Sequence, residues 1–568
     1  MQANTVDSAK NEKFPTIHRE GEGPPEAIIL ALKLQTNRHA PIAQLPAEIL
    51  CKIFYFVKVE EQHALQGNVL KWVTVSHVCS HWRSIAINFA SLWDTPPLGN
   101  ADWVAEMLER SKMVALSIEV SRVRKKMMEG LEKIVQYDSI GSRIRHLSIV
   151  DLGGQTARAM RCLPTSMPRL EILRVDPVYW PGEDVNSFRD LLYVPSGVLD
   201  AEGCLRRLEL SYCTVDWRLL LPPQITHLKL HAIPLNARPT LTQIMVVLGR
   251  LAKLESLDIV NAYDIENTPC CDRIHLEHLR RLNVSSPDVE IVAFLRHVTF
   301  SPRATVAVCS QYDTSNTTRT DSAVHFSALF AALAQSYTPS VSLPHFRTFV
   351  ARGESVSSAH TLALRLGLFS SDAFSEHEWS SDDSQQRPSL SILLKWRRAT
   401  LPYPQGTSRA LSDFHNSGFP LHAVTHIHLL RFIQLTPTAL ASTLGMLPAV
   451  RSVSVQRKAG NALVYALNLP SGGAVPPFHF AHLAEIRLHA LAFHPPSSTR
   501  RLSDSVSAKR LRDCLAHRRE RGAEIKRLAL VHCTPLVAAD VVELKRVVTD
   551  VYWDAEHPIH ALGLGELI

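Results

Sequence analysis

Eleven times between Met113 and Leu530 the sequence places an apolar residue, skips two positions, and then places two more apolar residues two apart. The triplets are Met113/Leu116/Ile118, Ile144/Leu147/Ile149, Leu170/Leu173/Val175, Leu205/Leu208/Leu210, Ile225/Leu228/Leu230, Leu254/Leu257/Ile259 and Leu279/Leu282/Val284, then Val424/Ile427/Leu429, Val450/Val453/Val455, Leu483/Ile486/Leu488 and Ile525/Leu528/Leu530. Two residues two apart in a strand point to the same face, so each triplet reads as a short strand with its apolar pair inward and its first residue in the turn. A strand that short cannot bury its face alone. Most neighbouring triplets are 20 to 35 residues apart. That is the spacing at which each unit stacks on the next and a continuous core results. The chain has 568 residues, 46% of them apolar and 20% charged. This suits one long repeat or several domains and excludes disorder throughout.

The pattern thins between Val284 and Val424. There Val306–Val308, Phe346–Val350, Leu362–Leu366 and Leu390–Leu394 are expected as degenerate strands. Helices are predicted at Pro287–His297, Phe326–Ser336 and Ser507–Arg521. Polar loop insertions are expected near 310–321 and 370–389, and the second contains the acidic, Ser-rich run SSDDSQQ. The repeat resembles the leucine-rich repeat, whose fuller form places Asn or Cys three residues beyond the third apolar position. Cys213 and Cys533 match that place, whereas Leu152, Val178, Ile233 and Leu491 depart from it. The resemblance implies an irregular solenoid with a curved parallel sheet over 100–568.

Residues 41–95 differ in composition. Residues 1–23 are polar and read as a disordered N-terminus, and 24–40 read as a short helix or linker. Pro46 suits a first helical turn, Glu48 suits the positive helix end, and Ile49, Leu50, Ile53, Phe54 and Val57 form one apolar helical stripe. After a polar connection over Glu60–Asn68, Asn68 is placed to cap a second helix carrying Leu70 and Val73. Ser76 is placed to cap a third, with Val78, Trp82, Ile85, Ala86 and Phe89 on one side. The expectation is a small module of three helices.

Pro41 to Phe54 (PIAQLPAEILCKIF) resembles the opening helix of an F-box. Val75 to Ala86 resembles its closing helix through Val75-Ser76-x-Val78-Cys79-x-x-Trp82-Arg83, and Ser91-Leu92-Trp93 is similar to the tail of many fungal members. The stretch Glu60–Leu70 is longer and more polar than in compact members. The resemblance implies docking on the Skp-type adaptor of a cullin ubiquitin ligase, with Leu45, Pro46, Glu48, Ile49, Leu50, Ile53, Phe54 and Val78 as adaptor-facing residues. Cys79 and Trp82 would pack internally. It further implies a substrate-recognition subunit, an α/β chain with the helical module ahead of the repeats and no catalytic residues of its own, in the cytoplasm or nucleus. The alternative is a leucine-rich-repeat interaction scaffold with no part in ubiquitination.

On such a repeat, binding falls to the residues flanking each inward pair. These are Arg207, Glu209 and Ser211; His227, Lys229 and His231; Ser256 and Asp258; Arg281 and Asn283; His426 and His428; Ser452 and Ser454; Glu485, Arg487 and His489; and Arg527. With His146, six histidines fall on this face, and an unperturbed imidazole titrates near pH 6.5, so mild acidification should make it more cationic. The formal charge of +7 does not by itself imply nucleic acid, and aromatic residues are sparse on this face, which argues against single-strand binding. No phosphate loop, nucleophile elbow or metalloprotease motif is present. Cys270, Cys271, His275 and His278 cluster but lack two separated ligand pairs, so no metal and no cofactor are expected. The basic run Lys509–Arg527 reads as a solvated helix face. No run of 18 apolar residues occurs, so no membrane span is expected, and the scattered Cys read as reduced thiols.

Overall fold

The computed structural model describes residues 29, 32–33, 35–37, 39–63, 70–121, 125–137, 139–151, 156–177, 192–199, 204–218, 221–265, 272–311, 326–337, 345–354, 361–372, 374, 387–397, 401–431, 433–469, 478–493 and 506–554. The expected disordered N-terminus at 1–23, Asn68, Cys270 and Cys271 lie outside them, as do most of the linker 24–40 and of the two loop insertions. The chain divides into two compact units, Met1–Ile118 with Lys125–Tyr137, and Glu119–Arg124 with Asp138–Ile568.

The first unit is helical. Helix α1, Ala47–His63, begins where the Pro46 carbonyl accepts the Ile49 and Leu50 N–H groups, so the missing N–H of Pro46 costs nothing. Leu50, Phe54 and Lys58, at i, i+4 and i+8, form its buried stripe. A buried ammonium must be paired, and Lys58 is, by an ion pair to Asp94 and a position 5.8 Å from the Trp72 ring centre. The expected second helix is a 3-10 helix, Lys71–His77. The third, α2 (Ser80–Asn88), is capped not by Ser76 but by Cys79, whose Sγ accepts the Trp82 N–H at 3.4 Å. Ser76 lies instead within the 3-10 helix, three residues before that cap position, where it is buried and its hydroxyl donates to the Val73 carbonyl at 2.8 Å.

This unit continues past residue 95. Helices α3 (Ala101–Arg110) and α4 (Lys125–Val135) pack on each other. Met107 and Trp103 join the core formed by Leu50, Phe54, Trp72, Val75, Leu92 and Trp93. Trp93 anchors it: its ring meets Trp72 edge-on at 5.2 Å, stacks on Trp103 at 6.5 Å, and its Nε1 donates to the Ala86 carbonyl at 2.8 Å. Met113, the first residue of the first triplet, is exposed, unlike the opening residues of the other ten.

The second unit carries the repeat. Its strands are β1 (Leu116–Ser121, in which the chain passes from one unit into the other), β2 (Ile144–Asp151), β3 (Ile172–Pro177), β4 (Arg207–Ser211), β5 (His227–His231), β6 (Ser256–Val260), β7 (Ile274–Leu276), β8 (Arg281–Pro287), β9 (Val298–Phe300), β10 (Thr305–Gln311), β11 (Thr348–Glu354), β12 (Thr361–Phe369), β13 (Leu390–Arg397), β14 (His426–Arg431), β15 (Ser452–Gln456), β16 (Glu485–His489), β17 (Arg527–Val531) and β18 (Asp550–Trp553). Strands β7 and β9 pair separately, and the other sixteen form one sheet.

The register aligns the triplets across the sheet. Leu147, Leu173, Leu208, Leu228, Leu257, Leu282 and Val306 are successive partners, and so are Ile149, Val175, Leu210, Leu230, Ile259, Val284 and Val308. All are buried. Helices such as Leu241–Arg250 and Asp288–His297 return the chain between strands, which gives an α/β repeat of the solenoid kind. Asp288–His297, Phe326–Ser336 and Ala508–Glu520 occur where helices are predicted.

Two features have no counterpart in the sequence pattern. The sheet is not wholly parallel: its middle order is β8-β10-β13-β12-β11-β14, and β12 runs antiparallel to both neighbours. The chain thus leaves β10, forms a strand beside the future β14, and folds back twice to fill the gap. Second, most triplets end in a left-handed residue two positions past the last apolar one: Tyr212, Ala232, Asn261, Arg431, Arg457, Ala490 and His532, with φ from 46° to 54°. The N–H of Tyr212 donates to the His231 carbonyl, that of Asn261 to Ser285 and that of Ala490 to Val531. The following residue turns inward, and Cys213, Ile233, Ala262, Leu491 and Cys533 are all buried. Cys213 and Cys533 aim Sγ at the carbonyls of Val175 and Leu488, and burial raises both thiol pKa values, that of Cys533 to about 11.

Only Asn261 and His532 among these left-handed residues are of a type that tolerates the region well. A Cβ there costs about 1–2 kcal/mol, of which the greater freedom of unfolded glycine offsets part. Ala232→Gly is therefore expected to stabilise the protein by up to about 1 kcal/mol in equilibrium urea unfolding. A loss of stability would contradict the strain.

Candidate functional site

Two surfaces are candidates, one on each unit. In the helical unit, α1 presents an apolar face away from its core. Ile49 is 40% exposed and Phe56 68%, and Val78, in the turn before α2, is 60% exposed. Leu45 is half-buried, Pro46 and Glu48 are exposed, and Ile53 is half-buried against the core. Leu50 and Phe54 are 0% exposed. Those two residues are thereby removed from the adaptor-facing set: their i, i+4 spacing puts them on the stripe that packs on Trp72 and Trp93, with Phe54 5.0 Å from the Trp82 ring. Trp82 is half-buried against that core, as expected, whereas Cys79 is half-buried at the N-cap of α2 and is not one of the core residues. Phe56 and Tyr55, also exposed, carry apolar area that the sequence pattern assigned to no face. So many large apolar groups left in water on one small helical unit mark an interaction surface.

On the repeat, the outward positions of β4 to β10 line a depression of about 500 Å³. Arg207, Glu209, His227, Lys229, Ser256, Asp258, Arg281 and Asn283 all contribute to it, so eight of the sequence-selected residues meet in one place. Arg365, Arg387 and Ser391 contribute as well. Local pattern did not point to these three, because they reach the site only through the antiparallel fold-back. The register puts Arg207, His227, Ser256, Arg281 and Thr305 in one row and Glu209, Lys229, Asp258, Asn283, Ala307 and Ser391 in the next.

The two carboxylates of the depression are engaged internally. Asp258 accepts from Asn283 Nδ2 at 2.7 Å and lies 2.9 Å from His231 Nε2, and Glu209 lies 3.8 Å from both Arg174 and Arg207. Lys229 and Arg281 have no ion-pair partner among the described residues. The local potential is felt by His227, whose pKa is lowered by burial and then by Arg207 and Arg281.

His426, His428 and Arg487 are not part of this group. Five strand steps separate β8 from β14, about 24 Å at the usual interstrand spacing. Between them the outward face is covered: Val350, Phe369 and Leu430 form a second apolar cluster under Phe374. His428 stacks on Phe374 at 4.7 Å, and burial, helped by His426, Arg487 and His489, lowers its pKa to about 3. It is therefore not a residue of an open face. Burial also lowers the pKa of His146. Of the six histidines expected to charge this face on mild acidification, three, His146, His227 and His428, have lowered pKa values. His426 contacts Thr425 and Asp372, and Arg487 is paired with Glu485 at 2.7 Å.

Among the described residues no group of three His, Cys, Asp or Glu side chains is placed to hold a metal ion, and no helix is long and apolar enough to cross a membrane. His275 lies 3.0 Å from the Thr299 hydroxyl.

Residues 42–96 match the model of the F-box-like family. No curated protein matches the chain. Among solved structures, the crystal structure of the Rad7 and Elc1 complex in yeast is similar over 77% of this chain and 94% of that one, at 10% identity and a TM-score of 0.23, too low to carry an argument.

A histidine whose folded pKa lies below its unfolded value favours folding above the unfolded value, and that stability is lost as pH falls toward the folded one. For His428 the window runs from about pH 6.5 down to about 3. His428→Leu keeps the contact with Phe374 and removes the proton. Its stability relative to wild type is expected to rise as pH falls from 7 to 5, by at most about 1.4 kcal/mol per pH unit in denaturant unfolding. A difference that stays constant with pH would contradict the burial of His428.

Proposed function

We propose that this chain, whose residues 42–96 are an F-box-like domain ahead of an α/β repeat, is the substrate-recognition subunit of a Skp–cullin–F-box ubiquitin ligase. The observation that carries the reading is the exposed apolar face of α1 with Val78, on the domain that the family model matches. Leu45, Pro46, Glu48, Ile49, Ile53 and Val78 are the residues proposed to meet the adaptor, with Phe56 extending the surface. A helix that holds one stripe in its own core and offers another to water fits a groove on a partner. Because Leu50, Phe54 and Trp93 fix the position of α1 from behind, its outer face is rigid before binding, and little ordering cost falls on association.

The target protein is proposed to bind the outward face of β4–β10. The work of such a receptor is positioning. Tethering the target to the ligase turns a bimolecular encounter with the charged ubiquitin-conjugating enzyme into an effectively local one, and the gain is in effective concentration. This requires no catalytic group in the chain itself. The reading places the protein in the cytoplasm or the nucleus.

Ile49→Asp with Val78→Asp alters two exposed residues and leaves the core intact. In pull-down of the purified chain with a Skp-type adaptor, the double variant is expected to lose binding by about a hundredfold, since each charge buried at an apolar contact costs roughly 1–3 kcal/mol or more. Unchanged adaptor binding, or no binding by the wild-type chain, would overturn the reading.

A further inference from the structure

The depression on β4–β10 was reached from the sequence as a row of polar residues, but the structure gives it a definite charge. Five of its lining side chains are Arg or Lys and two are carboxylates. Both carboxylates are already satisfied within the sheet, Asp258 by Asn283 and His231, and Glu209 by Arg174 and Arg207. Of the cations, Arg365 is held by Glu354 at 2.9 Å, whereas Lys229 and Arg281 have no ion-pair partner among the described residues. These two come from adjacent rows, on β5 and β8, with β6 between them. Arg387 stands beyond, at the entry to β13.

We infer that this depression binds an acidic peptide segment of a partner protein, with Lys229 and Arg281 as its principal anion-binding side chains. The inference rests on the receptor reading above and adds the chemistry of what is received. Charge complementarity argues for it. Cations gathered in a concavity focus the field, and an anionic ligand there meets donors whose competing carboxylates are otherwise engaged. Size argues the same way. About 500 Å³ falls within the roughly 300–1,000 Å³ that encloses a ligand of modest size, so the site suits a short length of chain. Sheet geometry sets the spacing. Lys229 and Arg281 stand two strand steps and one row apart, about 12 Å, which matches acidic side chains a few residues apart on an extended peptide. The anion can be carboxylate or phosphate, since both are recognised by the same donors.

The test is fluorescence anisotropy with the full chain and three labelled peptides of equal length: one rich in Asp and Glu, one in which neutral Asn and Gln replace them, and one in which phosphoserine replaces them. Binding of the first or the third, at least about tenfold tighter than the neutral peptide and weakening with added salt, is the expected result. Which of the two binds tighter assigns the anion. Lys229→Gln with Arg281→Gln is expected to weaken that binding about tenfold, with the melting temperature unchanged. His426→Gln, on the far side of the covered stretch, is expected to leave it unaltered. Equal binding of the neutral peptide, no binding of either anionic peptide, or indifference to the Lys229/Arg281 change would overturn the inference. Adaptor binding is measured on the same samples. Adaptor capture without peptide binding would sink this inference alone, and peptide binding without adaptor capture would sink the receptor reading.

Discussion

Each strand of the repeat has two buried side chains and no means of covering them by itself. Leu208 and Leu210 become core only because Leu173, Val175, Leu228 and Leu230 stand beside them in register. Everything else in the second unit follows from that dependence. The strands must align, so each must end at the same point, and the chain must then turn inward before it returns through a helix. The left-handed residue after the strand performs that turn. At Tyr212, Ala232, Asn261, Arg457 and Ala490 it sends its N–H to a carbonyl near the end of the next strand, at Arg431 and His532 to a side-chain oxygen, and in five of the turns the following residue is buried in the core. The turn recurs at Tyr212, Ala232, Asn261, Arg431, Arg457, Ala490 and His532 although only two of the seven side chains, Asn261 and His532, favour it locally. Stacking thus overrides local preference at about 1–2 kcal/mol a turn.

The same dependence produces the recognition face. Once alternate residues are committed to the core, those between them form rows across neighbouring strands. Side chains far apart in sequence, such as Arg207 and Arg281, thereby become neighbours on one surface. The fold-back through β11, β12 and β13 acts on this surface twice. It brings Arg365 and Arg387 to the depression, and with Phe369 and Phe374 it covers the stretch that would otherwise join the two halves of the face. The helical unit obeys a different rule. Its core is built on Trp93 and the α1 stripe, and the apolar residues that do not fit into so small a core remain outside.

The parts legible in the sequence are those set by local period. Triplet spacing located the strands with their inward and outward residues, and helical period located Asp288–His297, Phe326–Ser336 and Ala508–Glu520. Eight of the residues selected for the outward face share one depression. What local pattern does not encode is partner choice over distance. An antiparallel strand and a parallel one have the same alternation, so β12 read as one more degenerate repeat. His428 has the outward position of any flanking residue, and the distant Phe374, brought over it by the fold-back, covers it. Ser76 is a better N-cap type than Cys79, but the 3-10 helix runs on through it to His77, and Cys79 is the residue that immediately precedes α2. Leu50 and Ile49 are adjacent and equally apolar, and the packing of Trp72 and Trp93 decides which of them faces water.

The central claim is that the outer face of α1 with Val78 is a docking surface distinct from the sheet. Hydrogen–deuterium exchange of the full chain, with and without a purified Skp-type adaptor, tests it directly. The account predicts slowed exchange confined to residues 45–57 and 77–81, with the amides of β4–β10 unchanged. Protection that appears on the sheet and spares α1, or no protection anywhere, would contradict it.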